Sequence, residues 1–403
     1  MNGRTDPVRV TRSDHVTTIC PAHWSQLPTD EVRTAMTPVA GGVVVMDAAH
    51  PDCELGAWVF DPDQAAWWLA GVFGESIALV VLEAQPGSEV MVDIAWGDLA
   101  RPLRRLGMAS WLFRWWPSAS PTFGITDLDE ALLRAEIGAA AWQAEPCLPD
   151  DDSVIGLLDH GAEAVGRALT SLDQLAGADL ETATQLVWAA TRAVLEDGDP
   201  GQPGWPTLAA HWRRRSQEPP AQSLAEVRTI GTALTTPDLA LVAGAHGFGG
   251  AVVKTVVTDV DWLQVNPRMV ADCEGNVMVT VGESEPDGRR VVVEVLAGDE
   301  PIREGLGARL YPTDGEPDDV GLPAAHLVLE LRDGVYRGET TIGALQDFAV
   351  DVYHRDYVVA PRLGHEPAAD RTWIRQVIGR RLVSPLANPI GPFASELLGG
   401  AKA

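Results

Sequence analysis

The sequence predicts a multidomain α+β protein with an N-terminal α/β segment, a central helical segment and a C-terminal small antiparallel β-sandwich. Three observations carry this. Short apolar runs bounded by turn residues surround an amphipathic pattern within residues 1–125. Residues 126–225 are rich in alanine, leucine and glutamate at helical spacing. Residues 277–360 hold six short runs of strand character separated by turn residues. At roughly 100–200 residues per domain, 403 residues suit about two to four domains.

In the first segment, Gly42–Met46, Ile77–Leu82 and Val90–Ile94 read as buried strands. Asp61 is placed to cap a helix with Pro62 at its first position. Residues 98–116 form an amphipathic helix. Leu99, Leu103, Leu106, Ser110 and Phe113 make one stripe. Arg101, Arg104, Arg105, Met108, Trp111 and Trp115 fall on the other side, and Pro117 ends the helix.

In the helical segment, Pro146–Asp152 breaks the chain between Asp127–Ala144 and helical stretches at 153–176 and 179–197. A turn-rich connection, Asp197–Pro206, leads to a short helix ending at Arg213–Arg215. Residues 226–276 are a β-rich connector. Leu239–Ala243 and Ala251–Val257 read as strands around a glycine-rich turn, and the sequence does not say which neighbour they join.

The strands expected next are Val277–Val281, Arg290–Leu296, Gly307–Tyr311, His326–Arg332, Val335–Ile342 and Phe348–Tyr353. Asp333-Gly334 is the two-residue turn whose backbone matches right-handed strand twist, so His326–Ile342 reads as a hairpin. Strands this short and this closely spaced suit a small sandwich of immunoglobulin or transthyretin type. Residues 361–403 form a basic tail, with a helix at Thr372–Leu382 followed by Pro385, Pro389 and Pro392, which argue against regular structure.

The net charge is −27, which repels nucleic acid and anionic membrane and favours basic partners. The tail alone is positive, so its expected partner is the acidic body of its own chain. Cys20, Cys53, Cys147 and Cys273 show neither a disulfide framework nor a zinc spacing. No signal peptide or membrane span is legible, so a cytoplasmic location is expected.

Two groups of residues could carry function. Arginine and tryptophan dominate interface hot spots, so Arg101, Arg104, Arg105, Trp111 and Trp115 are the candidate partner-binding face. The alternative is an internal seam, with the same cation–π chemistry turned inward. Asp47, His50 and Asp52 offer ligands for a divalent metal, the one cofactor the sequence suggests. Its alternative is a polar loop of turn formers. Gly244–Gly250 lacks the lysine and helix of a phosphate-binding loop. His354-Arg355-Asp356 lacks the rest of a kinase catalytic loop and reads as a strand end. Cys20 and His23 would need to meet in space for nucleophilic catalysis. The expected function is therefore a non-catalytic regulatory or adaptor protein that binds another protein. The alternative is an enzyme with a metal-dependent site near Asp47.

Overall fold

The structure, a computed structural model, describes residues 7–50, 55–119, 123–149, 158, 161–215, 252–258, 260–273, 275–285, 288–298, 301, 305–312, 323–343, 348–355, 367–383, 385–388 and 390–402. Mixed α+β architecture is what it shows, with every strand pair antiparallel. The chain divides into two compact units. One comprises residues 1–113, 128–237 and 380–403, and the other 114–127 and 238–379.

The first unit opens with a six-stranded sheet. Its strands are β1 (Pro7–Arg12), β2 (Thr17–Pro21), β3 (Thr34–Val39), β4 (Gly42–Asp47), β5 (Gly56–Val59) and β6 (Glu89–Asp93), in the order β3-β4-β5-β2-β1-β6. Alternation decides which face is buried. Val8, Val10, Ile19, Val44, Ala57 and Val59 line one face and are all buried. Arg9, Thr11, Thr18 and Trp58 lie on the other and are partly open. Gly41 turns β3 into β4 with φ 69°, and a Cβ there would stand 2.4 Å from the Asp61 carbonyl. Only glycine tolerates that combination.

Three helices belong to this sheet: α1 (Pro62–Phe73), α2 (Glu75–Glu83) and α3 (Ala100–Trp115). Asp61 caps α1 as expected, accepting from the Asp63 and Gln64 amides. The run Ile77–Leu82 is not a strand but the body of α2. An unbroken apolar run carries no period, so helix and strand look alike in it. In the helix, Ile77, Ala78 and Val81 are buried while Leu79 and Leu82 face out. Along α3, Gly107 lies against Ala35, Thr37 and Met46, and a Cβ would come 3.0 Å from Thr37 Oγ1, so glycine permits the close approach.

The helical part of this unit holds α4 (Glu130–Ala144), α5 (Gly161–Ser171), α6 (Gly177–Asp197) and α7 (Trp205–Arg215). Asp129 caps α4 through the Leu132 amide at 3.0 Å. A Cβ on Gly161 would sit 2.6 Å from Val194 Cγ2, so its absence lets α5 close on α6.

The second unit contains β7 (Val252–Thr258), β8 (Val277–Glu285), β9 (Gly288–Leu296), β10 (Leu306–Pro312), β11 (Ala325–Val328), β12 (Glu330–Arg332), β13 (Val335–Ile342) and β14 (Phe348–His354). They form a five-stranded sheet, β12-β13-β9-β8-β7, and a three-stranded sheet, β11-β10-β14. Both sheets supply one core, with Val279, Val293 and Tyr336 from the first and Ala308, Leu310 and Val352 from the second. That is a sandwich arrangement. Asp333 (φ 50°) and Gly334 (φ 78°) both lie in the left-handed region the turn requires. The run His326–Arg332 is not one strand, however. It breaks at buried Leu329, so β11 pairs with β10 and β12 pairs with β13. β7 pairs with β8, which places Val252–Thr258 in the five-stranded sheet. Leu239–Ala243 and Gly244–Gly250 lie outside the described residues.

The tail contains α8 (Pro367–Val383) and α9 (Ala394–Lys402). α9 was not expected after three prolines. Pro392 stands just before it, where a missing N–H costs a helix nothing. Within the second unit, the Arg375 guanidinium pairs with Asp272, whose side chain is 1% exposed, and lies 4.2 Å from the Phe123 ring centroid. No helix among the described residues is long and apolar enough to cross a membrane.

Candidate functional site

Of the five residues expected on the binding face of α3, only Arg101 is exposed. Trp111 and Trp115 are each 3% exposed. The Trp111 Nε1–H donates to the Val32 carbonyl at 2.8 Å. The Arg114 guanidinium covers the Trp115 ring at 4.1 Å, and that of Arg104 covers Trp96 at 4.4 Å. Arg105 donates to the Pro392 carbonyl at 3.0 Å and stacks on Phe393 at 4.3 Å. It also stands 3.6 Å from the Glu136 carboxylate. The cation and indole chemistry of this helix is thus used inside the chain, as the internal-seam alternative has it.

Arg105 and Glu136 belong to a buried polar cluster that holds α9. Glu136 on α4 accepts from the Ala394 amide at 2.7 Å, the Ser395 amide at 3.1 Å and the Ser395 hydroxyl at 2.9 Å. A carboxylate at a helix N-terminus answers its orphan N–H groups and its dipole. Burial pushes the Glu136 carboxyl up from its ordinary range, while Arg105 and these hydrogen bonds pull it back. Burial likewise lowers Arg105. A second pair, Arg381 and Glu396, closes the cluster with bonds of 2.6 and 2.8 Å. The ligands of these charges are the chain's own groups, so the cluster is a clasp.

The metal candidate is half assembled. Asp47 Oδ2 lies 3.0 Å from His50 Nδ1, and Oδ1 accepts from the Ala49 amide at 2.8 Å. This is also the hydrogen bonding of an Asx turn. Asp52 lies outside the described residues, as do Cys53 and Glu54. Among the described residues no three histidine, cysteine or carboxylate side chains gather as a metal site.

Cys20 lines a cleft of about 330 Å³ on the open face of the sheet, with Arg9, Thr11, Thr18, Ser25, Gln26, Leu27, Thr29 and Trp58. Its sulfur lies 3.7 Å from Arg9 Nη2 and 3.6 Å from the Trp24 carbonyl. Burial raises the thiol above its usual value despite Arg9. A thiol held protonated is a poor nucleophile. His23 instead lies edge-on to Trp24, with ring centroids 5.7 Å apart.

A further surface was hidden in the sequence by the misread run at 77–82. On α2, Leu79 is 58% and Leu82 44% exposed; on β6, Val90 is 42% and Met91 53% exposed. α2 packs against β6. Between Glu75 and Ala100 stand Glu75, Glu83, Glu89, Asp93 and Asp98, with no basic residue among them. The result is an apolar surface studded with carboxylates, at one edge of the sheet. No protein-family model matches this chain, and comparison with curated proteins and with solved structures finds no match for its sequence or its fold.

Proposed function

We propose that this chain is a non-catalytic regulatory or adaptor protein that works by holding another protein. The observation that carries the reading is the exposure of Leu79, Leu82, Val90 and Met91 beside five carboxylates. Apolar side chains grouped on a surface favour association, because covering them releases water at roughly 25 cal/mol per Å². Surrounding charge of one sign selects a partner of the opposite sign and speeds its approach. In a chain of net charge −27, that partner is basic.

Tagged full-length protein, co-purified from its native cell, tests this. Leu79 and Leu82 are exposed, so Leu79→Glu/Leu82→Glu leaves the folded core intact. Partner affinity is expected to drop about 100-fold, through lost apolar contact and two unpaired charges at the interface. A partner recovered equally by both proteins contradicts the reading, as does recovery of the chain alone.

A further inference from the structure

Strand β6 ends the six-stranded sheet. It pairs with β1 from Pro7↔Asp93 to Thr11↔Glu89. Among the described residues no strand pairs with its outer side. The opposite edge, β3, is different: Pro38 interrupts its hydrogen-bonding row, and four of its six side chains are buried. β6 carries no proline, and four of its five side chains are exposed. Its outward amides and carbonyls are a template for another strand.

The side chains say what that strand must be. Glu89, Met91 and Asp93 share one face of β6, and Val90 and Val92 share the other, on the side where α2 packs. A second copy of this chain is a poor occupant. Antiparallel pairing centred on Met91 sets Glu89 against Asp93, and parallel pairing sets each carboxylate against its own copy. Like charges directly opposite destabilise a strand pair in either case. The nearest cation on the same face is Arg9, opposite Met91 on β1. Its guanidinium is turned the other way, donating to the Ser25 carbonyl at 2.7 Å and the Trp24 carbonyl at 3.2 Å.

We propose that β6 is the docking strand for an extended segment of a partner protein, which adds as a seventh strand with basic residues opposite Glu89 and Asp93 and three apolar residues between them. Because the pattern reads the same in both directions, it holds for parallel and antiparallel addition. The inference rests on the adaptor reading and specifies its partner's chemistry.

The test uses full-length protein and a capped heptapeptide, threonine-arginine-valine-leucine-valine-arginine-threonine, followed by amide chemical shifts up to millimolar peptide. Shift changes are expected at β6 and its neighbours. Replacing both arginines by glutamate should weaken binding at least tenfold, and N-methylating alternate peptide amides should abolish it. Glu89→Lys/Asp93→Lys should reverse the preference, favouring the glutamate peptide. Equal binding of the N-methylated peptide overturns strand addition, leaving only charge attraction. No shift change at millimolar peptide overturns it as well. These two arms use the native chain, so they decide the matter even if the lysine variant does not fold. A native partner lost by Leu79→Glu/Leu82→Glu but kept by Glu89→Lys/Asp93→Lys refutes strand docking while the adaptor reading stands. A partner kept by both variants refutes both.

Discussion

Replacing Glu396 by alanine is expected to lower the stability of the first unit by about 3–5 kcal/mol, the cost of leaving a buried charge without its partner. The Arg381 and Glu396 side chains are 5% and 0% exposed. Glu396 also accepts from the Phe393 amide at 2.9 Å, which closes the first turn of α9. Alanine removes both bonds to the guanidinium and this cap, and water cannot replace them in the interior. The double change Arg381→Met/Glu396→Leu removes both charges and keeps the volume, so it should be far less destabilising than the single one. Urea unfolding followed through a probe in the first unit measures this. Equal losses for the single and the double variant would show that packing, not charge pairing, holds α9.

At pH 7, Asp351→Asn is expected to stabilise the second unit by about 1–3 kcal/mol. Burial raises the Asp351 carboxyl to about 6, against an ordinary value of 3.8, with Arg309 opposing the shift and Asp261 adding to it. The folded protein therefore holds this proton more tightly than the unfolded chain. Below about pH 4 both states are protonated and the contribution is fully present. Between about pH 4 and pH 6 the unfolded chain ionises first, and stability falls as pH rises. Above pH 6 the loss is complete, about 3 kcal/mol for a shift of this size. Asparagine has no such charge to desolvate, though it gives up the attraction of Arg309, 3.6 Å away. Denaturation of both proteins at pH 4 and pH 7 tests the sign. A variant less stable than the wild type at pH 7 would mean that the Arg309 pair outweighs desolvation.

Local chemistry was the legible part of this chain. The Asp333-Gly334 turn and the Asp61 cap were readable because each depends on a few adjacent residues. The strand at Val90 was readable too, but not its place at the sheet edge. That place depends on pairing with β1, about 80 residues earlier, which no local pattern records. The break at Leu329 was hidden for a similar reason, since β11 and β12 differ only in which distant strand each joins. The face of α3 was read as two-sided, and both sides proved useful to the chain itself. Met108, Trp111, Leu112 and Trp115 are all buried, leaving little of the helix for a partner. The binding surface proposed instead was concealed by the apolar run 77–82, whose two outward leucines appear only once the run is known to be helical.

The most direct test of the account is amide hydrogen exchange along β6 in the free protein. An open edge strand alternates, with amides bonded to β1 protected and those pointing outward exchanging fast. The account predicts that alternation from Glu89 to Asp93, and slow exchange of the outward amides once a basic strand has docked. Uniform protection of β6 in the free protein would show that the edge is already covered, and strand docking there would be excluded.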